Sequence, residues 1–157
     1  MALHPDSVTL VPEKRQEVTT EGGLDLVKAG SYAAEVVKTL KEARIKTAAF
    51  VDPDLDQIKE AARMQFDAVE IHTGRYANAS SSTAAAELHK IRETAAAVRR
   101  LGMAVHAGHG LNYHNTGTVL AISEIEELNI GHAIIARAVF TGLDRAVRDM
   151  LKLMGRI

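Results

Sequence analysis

Short apolar runs alternate along the chain with longer stretches in which apolar residues return every three or four positions. Residues 8–11, 46–51, 68–73 and 103–107 form the short runs, and each reads as a buried strand. Between them Ala33, Val36, Val37, Leu40 and Ala43 share one helical face. Leu55, Ile58 and Ala62 share a second, and Ala84, Leu88, Ile91, Ala95 and Val98 a third. Asp54 is the expected N-cap of the second helix, with Gln57 three residues on in the manner of a capping box. Gly102 is the expected stop of the third. Residues 118–128 read as mostly helical and 129–131 as a short fifth strand. A helix then starts near His132, and a last one covers 143–154 with Ala146, Val147, Met150 and Leu151 inward. The two are split near Thr141-Gly142.

Strand–helix units repeated five times, without a linker, predict a parallel sheet covered by helices. An open doubly wound sheet fits the 157 residues, whereas a (β/α)8 barrel takes about 250. The pattern inside the strands favours the barrel. In Val69-Glu70-Ile71-His72, period-two geometry sends Val69 and Ile71 to one face and Glu70 and His72 to the other. Met103, Val105 and Ala107 likewise oppose Ala104, His106 and Gly108. In a doubly wound sheet helices cover both faces, and an unpaired carboxylate under one of them is costly. In a barrel the polar face is the interior, whose C-terminal mouth carries active sites. The expected fold is therefore α/β: parallel units of a TIM barrel, about five strands, in a single partial-barrel domain over 1–157.

Composition narrows the function. Apolar residues at 46% and charged residues at 25% are ordinary for a globular protein. A net charge of -1 gives no basic field for nucleic acid or an anionic membrane. Without cysteine there is no disulfide, thiolate metal site or thiol nucleophile. No apolar stretch approaches the ~20 residues of a membrane span. The first residues lack the basic start and apolar core of a signal peptide, so the cytoplasm is the expected location.

The candidate chemistry gathers where strands should end. Ala107-Gly108-His109-Gly110-Leu111 sets a histidine between glycines just after the fourth strand. Histidine moves protons near neutral pH, and glycine lets a ligand approach the backbone. His109 is thus a candidate general acid or base. Glu70 is a candidate carboxylate for stabilising positive charge or holding a histidine, against the plainer reading of a partner for a buried Arg or Lys. Ile130-Gly131-His132 opens a helix whose N–H groups suit a phosphate; close packing at Gly131 and capping by His132 are the alternatives. The loop 11–23 is most simply a solvated loop of mixed charge, with Thr19 a phosphate contact only if it folds over the site. His72, His106 and His109 form a conceivable zinc set, but the helix-borne zinc motif is absent. His4, His89 and His114 read as surface or loop residues, His114 with some claim to ligand contact. Neither a Walker nor a dinucleotide fingerprint is present.

Four segments, residues 10–25, 70–74, 107–111 and 128–135, together closely resemble the pyridoxine 5′-phosphate synthase family, in order and through essentially the whole chain. The resemblance implies a (β/α)8 barrel with extra helices that forms homo-oligomers and needs no cofactor. It implies condensation of 1-deoxy-D-xylulose 5-phosphate with 3-amino-2-oxopropyl phosphate, giving pyridoxine 5′-phosphate, phosphate and water. It casts His109 as proton donor, Glu70 as the transition-state-stabilising carboxylate and Thr19 as a contact to the deoxyxylulose phosphate. Gly110, Gly131 and His132 become contacts to the aminooxopropyl phosphate. The match covers the later part of the family's chain. The family's other general-base histidine, a second catalytic glutamate and further deoxyxylulose phosphate contacts lie earlier and have no counterpart here. The N-terminal barrel units are thus expected to be missing, with self-association through unpaired edges and an exposed apolar interior. A phosphate-binding half-barrel that needs a partner chain for chemistry is the alternative.

Overall fold

A computed structural model of the chain describes residues 4–12 and 22–157. Five strands, β1 (Ser7–Leu10), β2 (Lys46–Val51), β3 (Ala68–His72), β4 (Ala104–Gly108) and β5 (Glu127–Asn129), lie side by side in sequence order. Every neighbouring pair is parallel. A doubly wound sheet reverses its strand order partway; this sheet never does. It curls into half of a barrel, as the alternation in β3 and β4 required.

The helices are α1 (Leu26–Glu42), α2 (Leu55–Arg63), α3 (Gly74–Ala77), α4 (Ala84–Arg100), α5 (Thr116–Val119), α6 (His132–Thr141) and α7 (Leu143–Leu153). The core lies between sheet and helices. Ala49 and Val51 of β2, Val69 and Ile71 of β3, and Val105 and Ala107 of β4 are completely buried. They cluster with Val37 of α1, Ile58 of α2, and Ile91 and Val98 of α4. Gly102 adopts φ +81 just beyond α4, as expected of a glycine stop.

The opposite face departs from expectation. The polar alternation expected of β3 and β4 holds, but the apolar interior expected to drive self-association does not: apart from Phe50, the register aligns small and polar side chains. Thr9, Ala48, Ala68 and Ala104 form one row, and Phe50, Glu70, His106 and Glu127 the next. Period two explains this: the large aliphatic residues of each strand are already committed to the helix layer.

Three local expectations also change. Residues 118–128 are not mostly helical: after α5 the chain makes successive tight turns, Ile122 N–H to Val119 O and Ile125 N–H to Ile122 O. Apolar residues spaced by three suit either conformation. The fifth strand is 127–129 rather than 129–131, because Glu126 N–H donates to Val105 O and sets Glu127 opposite His106. Asp54 does cap α2, accepting from Asp56 N–H, but Gln57 makes no capping box. Its carbonyl accepts from Leu26 N–H at 2.7 Å and its amide donates to Asp25, tying the start of α1 to α2. Asp25 in turn caps the first turn of α1 through Lys28 N–H, and Gly30, at φ 49 and ψ -126, breaks the helix before the stretch that carries Ala33.

Candidate active site

Glu70 sits in the middle of the inner face and is 8% exposed. Its carboxylate has room only because Gly108, on the neighbouring strand, has no side chain: a Cβ there would fall on Glu70 Oε1. Burial pushes the Glu70 pKa up, and the Glu127 charge adds to this. A hydrogen bond with Asn129 and the nearby His72 act against it. The folded protein therefore holds the Glu70 proton more tightly than an unfolded chain does. Stability falls as pH rises from the ordinary glutamate value of 4.5 through the raised folded value, and the whole cost stands above that. Glu70→Gln is expected to raise the melting temperature at pH 7 by about 2–4 °C, corresponding to ~1 kcal/mol. The gain should vanish near pH 4, where the carboxyl is protonated in either state. Thermal melts of both proteins at the two pH values check this; a lower Glu70→Gln melting temperature at pH 7 would show the carboxylate to be net stabilised by its neighbours.

His109 follows β4 in the left-handed region, at φ 72, and Gly110 continues there at φ 79. A non-glycine residue rarely adopts that conformation without support. Thr73, completely buried at the end of β3, supplies it. Its hydroxyl lies 2.6 Å from His109 O and 2.9 Å from Gly108 O, and its N–H donates to Gly108 O. Asn115 donates to Gly110 O, so the turn is held from both sides. Burial is the main force holding the His109 pKa below its ordinary value, with His72 and His132 adding repulsion.

His72, 3% exposed, turns its Nδ1 to Asp52 Oδ1 at 2.7 Å. That hydrogen bond holds the Asp52 carboxyl below the ordinary range, against the effect of burial, and Gly23 N–H adds a second.

Glu70, His109, Gly110, Gly131 and His132 line one cavity of about 240 Å³, together with Phe50, Leu111 and Asn129. The cavity lies at the C-terminal ends of the strands. Gly131 is the N-cap of α6, and a Cβ on it would meet nothing within 4 Å. Close packing therefore does not require a glycine at this position. His132 makes no side-chain cap. Thr19, the remaining candidate, lies outside the described residues.

The zinc set does not form. His72 is taken by Asp52, while His106 lies 3.6 Å from Glu127, deeper along the inner face. Among the described residues no three His, Asp or Glu converge as metal ligands. His89 and His114 are exposed and line no part of the cavity. Three neighbours were not singled out from sequence: Phe50, Asn129 and Asp52. Asp52 had a signal. It follows β2 directly, and the register pairing Val51 with Ile71 places it beside His72.

Sequentially ordered parallel strands, with a carboxylate, a histidine and a helix N-terminus around one polar mouth, define a barrel-type α/β protein. The comparisons agree. Residues 1–156 match the family model described as "Pyridoxal phosphate biosynthesis protein PdxJ", and the chain belongs to that family. It is 50% identical over 156 residues to the pyridoxine 5′-phosphate synthase of Geobacter sulfurreducens. It is 49% identical over 150 residues to that of a Sulfurihydrogenibium species, and 49% over 156 to that of Syntrophotalea carbinolica. These matches cover 98%, 96% and 99% of this chain but 65%, 62% and 65% of the relatives. The chain thus spans a little under two thirds of their length. Among the described residues no helix is long and apolar enough to cross a membrane.

Proposed function

We propose that this chain carries the chemistry named for its relatives, as a cytoplasmic pyridoxine 5′-phosphate synthase acting on two phosphorylated small molecules. The observation that carries the reading is the single cavity shared by Glu70, His109, Gly110, Gly131 and His132, which come from three different strand–helix units. In this reading the amine of 3-amino-2-oxopropyl phosphate adds to a carbonyl of 1-deoxy-D-xylulose 5-phosphate. The adduct must then lose its hydroxyl as water. His109 donates the proton that makes the hydroxyl leave, and the iminium cation left behind is stabilised by the Glu70 carboxylate. Gly110, Gly131 and His132 hold the aminooxopropyl phosphate on backbone N–H groups and an imidazole. Thr19 contacts the other phosphate. Bound phosphate dianions restore the proton affinity that burial removes from His109.

A second reading is favoured by the open sheet. Among the described residues β1 and β5 are edge strands, and the inner face opens on a further cavity of about 940 Å³. Edges of this kind pair readily with another chain. In this version the chain binds phosphorylated ligand but completes its site with a partner, another copy of itself included.

Purified chain given both substrates separates the readings, with pyridoxine 5′-phosphate followed by chromatography. Calorimetric titration with 3-amino-2-oxopropyl phosphate and inorganic phosphate runs alongside. Product with binding supports the first reading, and binding without product supports the second. Absence of both overturns the site. Sedimentation at micromolar concentration reads self-association directly.

A further inference from the structure

The proposed chemistry uses Glu70 and His109 but leaves idle the pair formed by buried His72 and half-buried Asp52. Three aromatic rings meet beside the cavity. The centroids of His72 and His109 are 4.8 Å apart at an interplanar angle of 56°, and Phe50 lies 5.1 Å from His72 and 6.3 Å from His109. The backbone of α3 closes the remaining side: a Cβ on Gly74 would lie 2.6 Å from His72 Nε2 and 3.1 Å from His109 Cδ2. The His72 ring has one anchor, the bond from Nδ1 to Asp52. Its Nε2 is buried and has no hydrogen-bond partner among the described residues. Burying an imidazole with one nitrogen unmatched is costly, and a core position here would suit an apolar ring better.

We propose that Asp52 and His72 form a positioning pair for His109: Asp52 fixes the His72 imidazole, and that imidazole sets the placement of the His109 ring. The inference rests on the reading of His109 as the proton donor. A second-layer carboxylate that fixes a histidine's tautomer and orientation is a general device where imidazoles must be held in place. Here the layers are stacked by topology. Asp52 follows β2, His72 ends β3 and His109 follows β4, so three consecutive parallel strands deliver the three groups in line. The other titratable groups around His109 are Glu70 on β3 and His132 at the start of α6, which share its cavity. Arg75 on α3 lies near Asp52.

The test is imidazole titration by NMR in the full chain, with His109→Asn used to assign the His109 resonance. His72→Phe keeps a ring against His109 but removes both ring nitrogens and with them the Asp52 bond. The His109 titration is expected to move up towards the ordinary histidine value, and an unchanged curve overturns the proposal. If His72→Phe does not fold, Asp52→Ala replaces it: releasing the His72 ring should displace the His109 curve, and coincidence with the wild type overturns the proposal. A purely structural pair would lower the melting temperature and leave that curve alone. If wild-type chain forms product, Asp52→Ala should lower kcat roughly ten- to a hundredfold with KM within about twofold, and Asp52→Asn, which keeps an acceptor for Nδ1–H, should recover most of it. If wild-type chain forms no product, the condensation reading fails while the titration still decides this proposal.

Discussion

His109→Asn is expected to lower the rate of pyridoxine 5′-phosphate formation by about 10²–10⁴-fold, the usual cost of removing a positioned acid or base. Asparagine is the informative replacement. The residue sits at φ 72, and asparagine tolerates the left-handed region better than other non-glycine residues. Thr73 would still hold the local backbone, because its hydroxyl contacts main-chain oxygens of Gly108 and His109 rather than the imidazole. The melting temperature should therefore change little. Affinity for 3-amino-2-oxopropyl phosphate should fall only a few-fold, since Gly131 and His132 approach the cavity from a different unit. Steady-state kinetics together with calorimetry check the split. Full activity in His109→Asn would remove this residue from the reaction.

Gly108→Ala is expected to be the most damaging small substitution in the sheet. The added methyl would land on Glu70 Oε1 and stand 3.1 Å from both Asn129 Cβ and Asn129 O. Glu70 would have to leave its place beside Asn129, and the main-chain oxygen belongs to a paired strand that cannot easily yield. Overpacking of this kind costs about 1–3 kcal/mol, or roughly 3–10 °C in melting temperature for a chain of this size. Activity should fall with it, since the displaced group is the proposed charge stabiliser. Gly117→Ala is the control: nothing lies within 4 Å of the position its Cβ would take. Equal melting temperatures for the two variants would show that Glu70 has space the packing does not reveal.

Much of this was readable from residue order, and the limits have physical causes. Alternation in Val69-Glu70-Ile71-His72 assigned the two faces correctly, because one strand period separates aliphatic from polar side chains without reference to anything distant. Glycine beside histidine after β4 marked the mouth for the same local reason. The fifth strand was misplaced because three residues carry too little periodicity, and turns spaced by three imitate a helix. Gln57 was read as a capping residue since only α2 was in view; its partners, Asp25 and Leu26, lie about thirty positions earlier. The Asp52–His72 bond is likewise a contact between strand ends, visible only once the register of β2 on β3 is known. The sequence had singled out Glu70, His109, Gly110, Gly131 and His132, which line the cavity, but not their neighbours Phe50, Asn129 and Asp52.

Strands β2, β3 and β4 carry the packed core on their outer side and the proposed site on their inner side, with successive residues alternating between the two. Insertion or deletion of a single residue inside β3 would consequently exchange every assignment beyond it, pressing a carboxylate and an imidazole into the helix layer while Val69 and Ile71 faced the ligand. A length change in these strands would therefore be penalised on both faces at once, whereas one in the connections between them would leave the alternation intact.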